Sequence, residues 1–119
     1  MSDFEIFKMT NLLHYTDDDR ELASEMIRMA LQDMPEFLKK TEDCLVHQKM
    51  EEAGQFLHKI KGISGVIGAE KVHVMSCECE LSVKTNSNDL NVLNLVRNLG
   101  LAIDQFCEEN DVQILAGTQ

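Results

Sequence analysis

Ala53-Gly54-Gln55-Phe56-Leu57-His58-Lys59-Ile60-Lys61-Gly62-Ile63-Ser64-Gly65-Val66-Ile67-Gly68 places Ala53, Phe56, Leu57, Ile60, Ser64 and Ile67 at intervals of three and four. That is the pattern of one buried helical face. Advancing about 100° per residue, Gln55, His58, Lys61, Gly62 and Gly65 fall on the opposite side, so the imidazole of His58 faces water. Gly54 lies one turn before it, Gly62 one turn after, and Gly65 a further turn along. Three glycines inside a helix cost roughly 3 kcal/mol relative to alanine, so something other than stability is expected to keep them. Bare backbone around an exposed ring lets a macromolecule approach closely. The alternative is a helix that ends early, with Gly62 or Gly65 as its cap.

Lys61, at i+3 from His58, can reach an anion attached to the ring. A phosphoryl group carries nearly two negative charges and three acceptor oxygens, which suits a lysine one turn away, and histidine is a competent covalent nucleophile. Gln55, one turn before the histidine, can hydrogen-bond to the phosphoryl group or to a partner. Lys59 can add positive charge, or simply belong to a solvated face. Ser64 points to the inner face and is expected to pack.

Working outward, the remaining apolar spacing is also helical. A first helix is expected from about Asp3 to Leu13, then a turn at His14 and Tyr15, with Thr16 and Asp19 as a capping box. Leu22, Met26, Met29 and Ala30 mark the core face of a second helix. Asp33 and Pro35 fit the cap and first turn of a third, which Phe37, Leu38, Thr41, Cys44 and Leu45 carry inward. The histidine helix should span about Lys49 to Ile67 and end at Gly68. Ala69, Val72, Met75, Cys79 and Val83 give the stripe of the next helix. The cluster Thr85-Asn86-Ser87-Asn88 reads as a loop capping the last helix, whose inward residues are Val92, Val96, Leu99, Ile103 and Phe106. The expected fold is all-α, an antiparallel four-helix bundle with one or two additional N-terminal helices. The 119 residues are expected to form a single domain with its core over about 3–108 and a tail over about 110–119.

The residues around His58 resemble those of the histidine-containing phosphotransfer (HPt) domains of two-component phosphorelays. That family's pattern is a histidine, an aliphatic two residues later, then Lys-Gly, a small residue two further on and a glycine four beyond that. Here those positions hold His58, Ile60, Lys61-Gly62, Ser64 and Gly68, with Ala69 following. Upstream, Asp19, Glu21 and Leu22, then Asp33, Met34, Pro35 and Glu36, look similar to the family's helix starts. Downstream, Cys79-Glu80 stands where a Leu-Glu pair is common. The likeness spans roughly residues 3 to 108.

The resemblance implies a phosphocarrier in which His58 takes a phosphoryl group from a receiver-domain aspartate and passes it to another. Lys61, Gln55 and Lys59 would stabilise the group, and Gly62 and Gly65 would admit the receiver. Partners would be response-regulator receiver domains and a sensor histidine kinase, in cis or in trans, with no cofactor. Chemotaxis kinases carry a related domain in which a glutamate on the following helix orients the histidine, and Glu80 is its counterpart by position. A solvated surface glutamate is the alternative for Glu80.

Composition narrows the function classes. The formal net charge of −10 disfavours nucleic acid and anionic lipid. No apolar run suits a membrane span or a signal peptide, so a cytoplasmic monomer is expected. The chain lacks a nucleotide-binding loop, a kinase motif set and a magnesium-binding carboxylate cluster, so no enzyme activity of its own is expected. Cys77 and Cys79 point about 200° apart on a helix and could not chelate together without local unwinding, and no second pair stands at zinc-finger spacing, so no metal is expected and the four cysteines read as buried reduced thiols. His14, His47 and His73 show no ligand or nucleophile spacing. Two other readings stay open. One is the phosphotransfer domain of a chemotaxis-type kinase, phosphorylated from ATP by a separate catalytic domain. The other is a helical interaction module that never carries phosphate.

Overall fold

A computed structural model describes residues 4–86 and 90–117, and within them all regular structure is helical. In chain order the helices are α1 (Met9–Tyr15), α2 (Arg20–Val46), α3 (Met50–Ile67), α4 (Glu70–Asn86), α5 (Leu90–Glu108) and α6 (Asn110–Ala116). α3 packs between α2 and α4, while α5 packs on α4 and closes back onto α2. The connections between these four are short, which makes sequential neighbours antiparallel. The protein is therefore an all-α four-helix bundle with one short helix at each end of the chain. Ile27 and Met34 of α2, Leu57, Ile60 and Ile67 of α3, Val72 and Cys79 of α4, and Val92, Leu99, Ile103 and Phe106 of α5 fill its core. The last four are inward residues expected for the final helix, and Val96, the fifth, is buried with them.

Several boundaries differ from expectation, each for a local reason. Pro35 does not open a helix: α2 runs through it as one element of 27 residues, and Asp33 caps nothing. An interior proline removes one hydrogen bond and costs about 3 kcal/mol, but Ala23, Ile27, Ala30, Met34, Thr41 and Leu45 form one continuous buried stripe whose packing outweighs it. That stripe lies about one residue away from the expected one, so Leu22 and Met29 are exposed and Met26 is half-buried. Asp19 is the N-cap of α2, its carboxylate accepting from the Leu22 N–H at 3.1 Å. Thr16 instead follows α1 as its C-cap and donates its hydroxyl to the Leu12 carbonyl at 3.1 Å. Asp17 and Asp18 take positive φ in the turn between α1 and α2, a conformation aspartate tolerates.

The first helix begins at Met9 and not near Asp3, a residue outside the described range, and it includes His14 and Tyr15. The segment before it is tied to the α3–α4 turn and to the start of α4: Lys8 N–H donates to the Gly68 carbonyl at 2.8 Å, and Lys71 N–H to the Glu5 carbonyl at 3.0 Å. Gly68 caps α3 with φ +82°, and a Cβ there would meet the Lys8 carbonyl oxygen. Only glycine meets both demands. Thr85 and Asn86 complete α4 instead of forming a loop, while Ser87 and Asn88 lie outside the described residues. Residues expected to trail off as a tail form α6, because Val112, Leu115 and Ala116 are buried where α6 packs on α2 and α5.

Candidate functional site

α3 presents His58 and Lys61 one turn apart, and α4 presents Glu80 and Lys84 one turn apart against them. α3 stays helical through Gly62 and Gly65, so neither glycine ends it. The centre of the group is Glu80, whose side chain is only 7 % exposed. An isolated buried carboxylate is costly, and this one is compensated by three donors. Lys61 Nζ lies 2.8 Å from Oε1, Lys84 Nζ 3.1 Å from Oε2, and His58 Nδ1 3.2 Å from the same Oε2. Burial alone would raise the Glu80 pKa, but the hydrogen bonds from Lys61 and then Lys84 outweigh it and hold the group at about 2. Its hydrogen bond to Glu80 in turn pushes the Lys61 ammonium above its ordinary value.

A carboxylate that stays ionised accepts only, so the contact requires a proton on Nδ1, and the neutral tautomer that makes it keeps the lone pair on Nε2. The imidazole is 67 % exposed, which leaves that nitrogen open to an incoming group. Such an arrangement can present an oriented, accessible ring nitrogen beside two ammonium groups.

The other expected site residues divide between a cleft beside His58 and positions outside it. Gln55 is exposed and lines, with His58, an open cleft bordered also by Gly54, Lys59, Glu80 and Lys84. Gly54 is buried at its floor, 4.0 Å in Cβ terms from Val83 Cγ1, rather than bare to solvent. The Lys59 ammonium is drawn to an aromatic pair, 5.2 Å from the Phe37 ring centre and 5.7 Å from that of Phe56. Gly62 is exposed, with nothing within 4 Å of an added Cβ. Gly65 has a different use: its missing Cβ admits the His73 ring, which a methyl group would approach to 3.1 Å. His73 Nδ1 then donates to the Lys61 carbonyl at 2.9 Å, tying α4 to α3 beside the site. Ser64 is fully buried and donates to the Ile60 carbonyl. An apolar groove bordered by Tyr15, Met26, Met29, Ile63 and Val66 begins at Gly62.

Two residues of this neighbourhood are not singled out by sequence. Lys84 stands four residues after Glu80, a spacing at which opposite charges pair on a helix, so it could have been found once Glu80 was considered. His73 carried no such signal, since its partner is a backbone carbonyl on another helix. The four cysteines are free thiols; Cys44 and Cys79 are buried, Cys77 and Cys107 half-buried, and desolvation pushes the Cys79 thiol up to about 12. Among the described residues no helix is long and apolar enough to cross a membrane.

No curated protein and no solved structure matches this chain. Against models of known families, residues 25–109 match that of the Hpt domain, a span that holds α3, α4 and all four donors and acceptors of the Glu80 cluster. The match covers well over half of the chain, and the protein belongs to the Hpt domain family.

Proposed function

We propose that His58 is the residue of this domain that carries phosphate, receiving it from a receiver-domain aspartyl phosphate and delivering it to the aspartate of another receiver. Hpt domains act in histidine phosphotransfer within phosphorelays, interacting with receiver domains and histidine kinases, and they lack a nucleotide-binding catalytic site of their own. The observation that carries the reading is the contact of ionised Glu80 with Nδ1 of an otherwise exposed imidazole. The Nε2 lone pair attacks phosphorus, an N–P bond forms, the P–O bond to the donor aspartate breaks, and that carboxylate leaves with the electron pair. Glu80 keeps the Nδ1 proton in place as positive charge develops on the ring. Lys61 locks Glu80 and adds positive charge near the phosphoryl group. Gln55 borders the approach, and Lys59, seated on Phe37, contributes charge at longer range. Gly62 leaves the surface low where the receiver's loops must come close, and the groove of Tyr15, Met26, Met29, Ile63 and Val66 offers it apolar area beside the histidine. The whole chain is read as one domain, a cytoplasmic monomer in this role.

The same contact fits a second reading, in which phosphate reaches His58 by another route. A glutamate of the following helix against the histidine is the arrangement associated with chemotaxis-type kinases, whose phosphotransfer domain is phosphorylated from ATP by a separate catalytic domain. The test treats wild type and His58→Gln with a panel of phosphorylated receivers and, separately, with ATP and a chemotaxis-type catalytic domain. Acid-labile, base-stable phosphate on the wild type alone, from a receiver, supports the relay. Label only from ATP favours the second reading. No label by either route overturns both and leaves a phosphate-free interaction module.

A further inference from the structure

We propose that Lys84 is the ammonium that meets the phosphoryl group on His58, while Lys61 acts chiefly as the fixed counter-ion of Glu80. This inference rests on His58 being the phosphorylated residue. It assigns to a residue on α4 a task that sequence spacing gives to Lys61 on α3.

The two lysines hold Glu80 differently. Lys61 is held on Oε1, the oxygen His58 does not use, at 2.8 Å with its side chain 31 % exposed. Lys84 shares Oε2 with His58 Nδ1, so its ammonium stands next to the ring, and its side chain is 64 % exposed. An ammonium has three donors and Lys84 uses one on Oε2, leaving others for the cleft that it borders together with His58. Lys61 is not part of that cleft's lining. The exposed, flexible stem of Lys84 can turn its head group from the carboxylate toward Nε2 with little loss of packing.

Charge supplies the reason to turn. With His58 bare, one carboxylate faces two ammonium groups. Phosphorylation adds about −1.5 to −2 on the ring, and Glu51, from the first turn of α3, borders the same cleft with a further negative charge. Lys59 borders the cleft as well but is seated on the Phe37 ring, whereas Lys84 is one of two ammonium groups on a single carboxylate and can answer the added charge. Lys84 is therefore a positioning residue for the bare ring and a direct partner of the phosphorylated one.

The test phosphorylates the full chain with phosphoramidate, a chemical donor to imidazole, and titrates the N-phosphoryl group by phosphorus NMR. A nearby ammonium favours the dianion and lowers the second phosphoryl pKa. Lys84→Met should raise it by roughly half a unit, less than a desolvated pair would give because Lys84 is exposed. Lys84→Arg, which keeps the charge, should return it most of the way. Half a unit corresponds to about a threefold loss in the equilibrium share of phosphate held by the domain against a receiver. An unchanged titration in Lys84→Met, or a shift in Lys61→Met alone, overturns the assignment while leaving His58 as the carrier. A folded wild type that takes no phosphate at His58 overturns the underlying reading and this inference together.

Discussion

Glu80→Gln removes the charge on which the site is built, and the structure sets the size of the effect. The carboxylate is held at about 2 against an ordinary 4.5, a gap worth roughly 3 kcal/mol at about 1.4 kcal/mol per pH unit. Lys84 is largely exposed, so part of this is screened, and about 2 kcal/mol is the expected loss at pH 7. The sign follows from the depressed folded value. The contribution is fully present above pH 4.5 and is lost as pH falls toward 2. Urea unfolding of wild type and Glu80→Gln should therefore differ by about 2 kcal/mol at pH 7 and by about 1 kcal/mol or less at pH 3. Nitrogen NMR of His58 should show the Nδ1–H form in the wild type and a mixture in the variant. An equal penalty at both pH values, or none at pH 7, would refute the claim that an ionised Glu80 organises this site.

Other perturbations separate function from stability. Gly62→Ala meets open space and gains helix propensity, so it should raise stability by about 0.5–1 kcal/mol while slowing transfer from a receiver. Gly65→Ala should show no such gain, because the new methyl displaces His73 and weakens its bond to the Lys61 carbonyl; thermal unfolding of the two variants side by side checks the contrast. His58→Gln should remain within about 0.5 kcal/mol of the wild type in urea, since the ring is exposed and outside the core. Val112→Ala, in a helix that reads as a tail in sequence, should cost about 1–2 kcal/mol, and an unaffected midpoint would show that α6 does not contribute to the bundle.

The histidine helix was legible almost to the residue, because its amphipathic period is clear and Gly68 is a strong stop. Helix boundaries in the first third of the chain were not. Pro35 and Asp33 are good local start signals, yet they sit on a buried stripe whose continuity is visible only when α3 lies alongside. Methionines misled at Met29, since an apolar residue on a long helix is not a core residue unless a neighbouring element covers it. α6 was hidden for the converse reason: Val112, Leu115 and Ala116 are too few to show a period, and the surface that buries them belongs to α2 and α5.

His58, Lys61, Gly62 and the outward direction of the imidazole follow from sequence alone, because spacing within one helix fixes which side chains share a face. The partners across the helix pair do not. Which oxygen of Glu80 each donor takes, the seat of Lys59 on Phe37, the notch at Gly65 and the place of Lys84 beside the ring all depend on the axial register of α4 against α3. That register is set by the packing of many side chains and by the Gly68 turn, and no local pattern in either helix encodes it.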